Sequence, residues 1–176
     1  MRTERMSKSR PGAAAKPLYT AEQRRRRDSS GWTLVQGVLA PVQFLVFLVS
    51  LALVLRFLAS GEGERAATLS VVVKTLTLYA IMITGSIWEK VVFGRYLFAD
   101  AFFWEDVFSM LVLALHTAYL AALALGALSP QNLMLLALAA YAAYAINAAQ
   151  FLLKLRAARL QAGAPPSGFA GLGAIP

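Results

Sequence analysis

Residues 32–58 read WTLVQGVLAPVQFLVFLVSLALVLRFL, an apolar run whose one charged side chain is Arg56 near its end. A helix needs about 20 such residues to cross the roughly 30 Å hydrocarbon core of a bilayer, so this run is long enough to span it. Working outward, three further apolar blocks follow, at about 69–88, 107–128 and 133–155. With 59% of its 176 residues hydrophobic, the chain departs from ordinary globular composition. The expected fold class is all-α: a polytopic membrane protein with four transmembrane helices in a bundle.

Charge supplies the orientation. Nine of the 17 Lys and Arg residues precede the first block, among them Arg24, Arg25, Arg26 and Arg27 just ahead of Trp32. One lies in the first connection, two in the second, none in the third, and three around the end of the last block. The positive-inside rule then puts both termini and the 89–106 loop in the cytoplasm, with the turns at Gly61 and Pro130 on the far side. The net charge of +8 is read as this orientation signal and not as a nucleic-acid surface. Residues 1–31 form a basic cytoplasmic tail, residues 32–160 the membrane domain, and 161–176 a disordered C-terminal tail rich in Gly, Ala and Pro. The first block is too long for a signal peptide and is retained as a span.

Inventory removes much chemistry. There is no cysteine and a single histidine, His116, which excludes thiolate metal sites, cysteine nucleophiles and a bis-histidine haem within one chain. No phosphate loop, dinucleotide fingerprint or nucleophile elbow is present. Proton transfer by Glu89, Glu105, Asp106 and His116 remains.

Ionisable and amide groups at membrane depth are costly and therefore informative. Four of the nine acids, Glu89, Asp100, Glu105 and Asp106, gather in the 89–106 loop beside Lys90 and Arg95. The same loop holds Tyr96, Phe103 and Trp104, with Trp88 at its start. It reads either as an aromatic belt with ordinary surface charges or as a shelf for a flat, conjugated, partly polar ligand. His116 follows Glu105 by eleven residues, about 20° more than three helical turns, so the two share a face with Ser109. On the last span Tyr141, Tyr144, Asn147, Gln150 and Lys154 form one face, and on the first Gln36 and Gln43 stand a heptad apart, flanking Pro41. Each amide, and His116, also has a plain reading as interhelical hydrogen-bonding glue. Lys74 is expected to snorkel to the far interface.

Several stretches together resemble the vinyl (bacterio)chlorophyllide hydratase family. They are 17–20 (PLYT), 32–47 (WTLVQGVLAPVQFLVF), 87–98 (IWEKVVFGRYLF), 101–110 (AFFWEDVFSM), 115–119 (LHTAY) and 146–156 (INAAQFLLKLR). The resemblance implies a multi-pass protein of the bacterial inner membrane that hydrates the C3-vinyl group of a chlorophyllide or bacteriochlorophyllide to a 1-hydroxyethyl group. It implies pigment and water as substrates, and no cofactor or metal of its own, since magnesium arrives in the tetrapyrrole.

Such a reaction needs an acid at the terminal vinyl carbon, an ordered water with a base, and stabilisation of the cation formed. The expected catalytic residues are Glu105 and Asp106 as acid and base, with Glu89 near the cation. The expected substrate contacts are Trp88, Trp104, Phe103, Tyr96, Asn147, Gln150, Gln43 and His116. Either magnesium ligation or hydrogen bonding suits His116, and Lys154, Arg95 and Lys90 are candidates for the pigment propionate. Beyond the lipid bilayer, a second copy of the chain and neighbouring bacteriochlorophyll-synthesis enzymes are the partners to consider, with no nucleic acid among them. The rival readings are a non-catalytic tetrapyrrole carrier or assembly factor, which needs no placed acid, and a small proton-coupled exporter, which would carry a carboxylate inside a span.

Overall fold

The computed structural model describes residues 18–163, and expectations for the stretches outside them are not addressed by it. Within that range the chain is all-helical: α1 (Ala21–Ser29), α2 (Gly31–Ser60), α3 (Glu64–Phe93), α4 (Phe103–Ala124) and α5 (Pro130–Gly163). Among the described residues, the last four are long and apolar enough to cross a membrane.

Local chemistry sets the breaks. Thr20 and Gln23 form a capping box at the start of α1: the Thr20 hydroxyl accepts from the Gln23 amide at 3.2 Å, and the Gln23 side chain accepts from the Thr20 amide at 2.9 Å. The arginine run lies on this short helix, where Glu22 pairs with Arg25 and Arg26. Ser30 caps α2 through the Trp32 amide. Two glycines in the left-handed region, Gly61 at φ 74° and Gly63 at φ 83°, turn the chain from α2 into α3. Gly94, at φ 84°, ends α3, and Pro130 occupies the first position of α5, where its missing amide hydrogen costs nothing.

The helices extend beyond the apolar blocks that reveal them. α3 covers 30 residues, from Glu64 to Phe93, against the expected 69–88, and α4 begins at Phe103 instead of 107. The stretch read as a loop over 89–106 is therefore a connector of residues 94–102 between helix ends that carry Glu89, Lys90, Glu105 and Asp106. Hydropathy locates only the lipid-immersed part of a helix, whereas backbone hydrogen bonding continues to the next cap. Likewise the basic N-terminal segment contains α1, and α5 continues to Gly163.

α2 packs mainly on α3 and α4 on α5, and the two hairpins meet through α2–α5, α3–α4 and α3–α5 contacts. Val54, Val71, Val112, Met134, Ala137 and Tyr141 are central to the core, to which all four long helices contribute. Phe47 packs edge-on to Tyr141, with ring centres 5.4 Å apart. Leu34, Leu45, Leu69, Leu152 and Leu153 point outward, as side chains facing lipid would.

Polar bonds tie the helices together. Gln36 donates to Thr84 at 2.8 Å across α2–α3, so the first amide of span one acts as interhelical glue. Ser50 on α2 bonds both Ser70 on α3 and Tyr141 on α5. Removing that last bond with Tyr141→Phe is expected to lower unfolding stability in detergent or bicelles by roughly 1 kcal/mol. An unchanged unfolding midpoint would show that the Ser50–Tyr141 bond adds nothing to the junction.

Candidate functional site

The carboxylates converge where α3 and α4 emerge into the connector. Glu89 comes from the last turns of α3, and Glu105 and Asp106 from the first turn of α4; all three are buried. Phe98 holds φ at 59°, an unusual conformation for a residue with a side chain, and bends the connector so that successive backbone amides turn inward. The Phe98 N–H donates to Asp106 Oδ2 at 2.7 Å and the Ala99 N–H to Glu89 Oε2 at 3.4 Å. The Glu89 and Asp106 carboxylates thus sit side by side on adjacent connector amides. Two carboxylates so close repel when both are ionised, and the arrangement favours one shared proton between them.

Glu105 is differently placed, because Lys154 of α5 donates to its Oε2 in a largely buried ion pair. Lys154 also lies 5.1 Å from the centre of the Phe102 ring. The other two cations stay on the outside: Lys90 donates to the Gly94 carbonyl at 2.9 Å and lies over Tyr96, while Arg95 faces Asp100 at 3.7 Å.

The aromatics divide into two layers. Tyr19, Trp88, Phe93, Phe102 and Phe151 interlock inside the connector, with Tyr19 stacked on Phe93 at 5.7 Å and Phe102 on Phe151 at 5.8 Å. The Trp88 indole N–H donates to Thr33 at 2.9 Å, which commits it to the α1–α2 junction. Tyr96, Phe98, Phe103 and Trp104 remain on the surface, Trp104 with 67% of its area exposed. Phe103 lies between the other rings, 5.8 Å from Phe98 and 5.5 Å from Trp104. Of the aromatics expected as a shelf, Tyr96, Phe103 and Trp104 are therefore exposed, beside Phe98 whose amide binds Asp106, while Trp88 lies in the inner layer.

From this cluster a polar seam runs inward between α4 and α5. Asn147 donates to Ser109 at 2.8 Å, so the two faces read from sequence do meet. His116 is fully buried; its Nδ1 bonds the Val112 carbonyl at 2.8 Å and its ring is 5.8 Å from that of Tyr141. Deeper still, Lys74 corrects an expectation. It does not snorkel to an interface but is enclosed, its ammonium 3.8 Å from the centre of the Tyr144 ring. With the Gln43 amide turned to satisfy both neighbours, Gln43 accepts from Lys74 Nζ at 2.9 Å and donates to the Thr77 carbonyl at 3.3 Å. Because α3 starts at Glu64, Lys74 stands ten residues inside it, about 15 Å from its beginning.

Glu89, Glu105, Asp106 and Lys154 are therefore brought together, with Phe103, Tyr96 and Trp104 outside them. Asn147 and Gln150 lie along the seam, and His116 and Gln43 belong to the interior. Sequence reasoning missed Tyr19, Phe102 and Phe151 as the inner aromatic layer, and Lys74 as an interior cation. The spacing of Lys74 from Gly63 carried a usable signal, since a glycine cap there starts the helix early. Among the described residues no three His, Asp or Glu side chains converge as a bound metal would require.

Comparison with known proteins agrees across nearly the whole chain. A family model described as 2-vinyl bacteriochlorophyllide hydratase matches residues 19–157. The chain is 63% identical over 164 residues to the 2-vinyl bacteriochlorophyllide hydratase of Rhodobacter capsulatus, covering 93% of this chain and 95% of that protein. It is 64% identical over 156 residues to the protein of the same name from Cereibacter sphaeroides, covering 88% and 96%. No solved structure matches.

The Lys154–Glu105 pair yields a direct test. Lys154→Met leaves a buried carboxylate without its partner and should cost about 3 kcal/mol, whereas Lys154→Met with Glu105→Gln should recover most of that loss. Simple additivity of the two changes in a double-mutant cycle would mean that the pair is not coupled.

Proposed function

The chain belongs to the 2-vinyl bacteriochlorophyllide hydratase family and is a hydro-lyase of bacteriochlorophyll synthesis; we propose that the Glu89–Asp106 pair supplies the proton with which it hydrates the pigment's vinyl group. The convergence of these two buried carboxylates on adjacent connector amides, Asp106 on Phe98 and Glu89 on Ala99, with exposed aromatics on the same connector, is the observation that carries this assignment.

Hydration that leaves the hydroxyl on the inner carbon begins with proton transfer to the terminal carbon. The shared proton forms the new C–H bond, the vinyl π pair is consumed, and positive charge appears on the carbon next to the macrocycle, which delocalises it. At that moment the Glu89–Asp106 pair gains a full negative charge beside the cation, an interaction stronger in the transition state than before it. Water then forms the C–O bond, and its surplus proton returns to the pair. Atoms and charge balance with no oxidation or reduction, so the chemistry calls for no redox cofactor. Of the three acids, Glu105 is committed to its contact with Lys154, which fixes α4 against α5.

The pigment's conjugated ring lies on Tyr96, Phe98, Phe103 and Trp104, and its propionate meets Lys90 and Arg95 at the connector's rim. Magnesium enters as part of this substrate. We assign His116 to the interior network and not to magnesium, because a macrocycle could reach its ring only by separating the helices around it. The four helices act as a bundle in the bacterial inner membrane with both ends in the cytoplasm, a topology supported by the basic residues preceding α2.

Membranes containing the chain, given a vinyl bacteriochlorophyllide, should add one water to the pigment with a blue-shifted absorbance. Asp106→Asn and Glu89→Gln are each expected to lower hydration by about 100-fold or more while pigment is still bound; wild-type turnover in either would remove the pair from the chemistry. Pigment bound but unchanged by wild-type membranes would favour the carrier reading. Phe103→Ala combined with Trp104→Ala should raise KM several-fold with kcat nearly constant, and an unaltered KM would move the binding face elsewhere.

A further inference from the structure

Four buried side-chain polar atoms have no hydrogen-bond partner among the described residues: Tyr119 Oη and, nearer the connector, Gln150 Oε1, Asn147 Oδ1 and His116 Nε2, the last three on the facing sides of α4 and α5. These three are not scattered. Gln150 is one turn from Lys154, which holds Glu105; Asn147 is one turn further in and bonded to Ser109; His116 is two turns beyond Ser109 on the same face. All three are acceptors. The Asn147 amide nitrogen is committed to Ser109, and the His116 Nδ1 bond to the Val112 carbonyl leaves Nε2 with its lone pair. What fits such a row is a small molecule that donates two hydrogen bonds and also accepts them.

We propose that the α4–α5 interface is a water-binding seam in which a file of ordered water molecules, held by Gln150, Asn147 and His116, supplies the water consumed in the hydration. Buried acceptors without a protein partner are satisfied by internal water where the site is polar, and several adjoining ones satisfy it cooperatively. The location gives the seam its use. The seam ends at Glu105, the chain neighbour of Asp106, and the pigment occupies the outer shelf, so a nucleophile held ready on the interior side reaches the cation without displacing substrate. The supply role rests on the hydratase reading; the presence of water in the seam does not.

The chain has no cysteine, which makes single-cysteine variants clean probes. Asn147→Cys and Gln150→Cys, each in the full chain in native membranes, should be titrated by silver ion, which reaches thiols through water. Ile146→Cys, at the same depth on an exposed, lipid-facing position, should not be. Asn147→Leu and Gln150→Leu, which dry the seam, should each lower kcat, counted per folded chain with an unchanged unfolding midpoint, about tenfold and leave the KM for the vinyl pigment unchanged. Silver-inert cysteines at 147 and 150 overturn the seam. Reactive cysteines with wild-type kcat in the leucine variants overturn its supply role. A wild-type chain that leaves the pigment unhydrated overturns the hydratase reading, and the silver titration still reports whether the seam is wet.

Discussion

The Lys74 ammonium, enclosed between the Tyr144 ring and the Gln43 amide, sets the terms for the interior. Hydrocarbon offers a cation no hydrogen bonds, so α2 and α5 must present an amide oxygen and a π-face to the one helix that carries it. Gln43 can do so only because it also reaches the Thr77 carbonyl on α3, and Tyr144 because Phe47 packs against it at 5.0 Å. A single costly side chain thereby fixes the relative rotation of three helices. Ser50, bonded to α3 and α5 together, repeats that constraint nearer the far end.

With the helices so oriented, the remaining polar positions can only face one another. Ser109 meets Asn147 and Glu105 meets Lys154, which carries the α4–α5 contact to the end where the connector lies. The connector completes the site by main-chain geometry. Its left-handed residue, Phe98, has a bulky side chain where glycine would be easier, and the cost is offset by aiming two amides at two carboxylates while lifting an aromatic ring onto the surface. Acid pair and shelf are thus two faces of one bend. The buried carboxylates and the exposed aromatic surface are kept in register by the same nine residues, 94–102.

Hydration of a vinyl group asks little of a protein in the way of cofactors and much in the way of placement. The proton donor must be shielded enough to keep its proton, near enough to deliver it, and able to carry the charge left behind. In the proposed assignment, burial of Glu89 and Asp106 beside each other meets the first and third requirements, and the outer aromatic layer the second. Glu105, of the same chemical type and adjacent in sequence, faces Lys154 instead, so partners and not residue identity distinguish the three acids.

Four apolar blocks of spanning length, the basic segment ahead of them and the clustering of acids between the second and third are properties of composition along the chain, and these the sequence determined by itself. So were the polar faces of α4 and α5, because helical periodicity alone assigns residues to a face. Which acids would touch, which aromatics would face outward and where Lys74 would lie were decided only by tertiary structure. Helix ends are fixed by caps such as Gly63 and Gly94 and not by hydropathy, so depth was misjudged for Lys74 and the loop was drawn too long. The meeting of Glu89 with Asp106 at adjacent connector amides, and of Lys154 with Glu105, joins residues from different helices, and no periodicity within one segment can encode how a neighbouring helix is rotated against it.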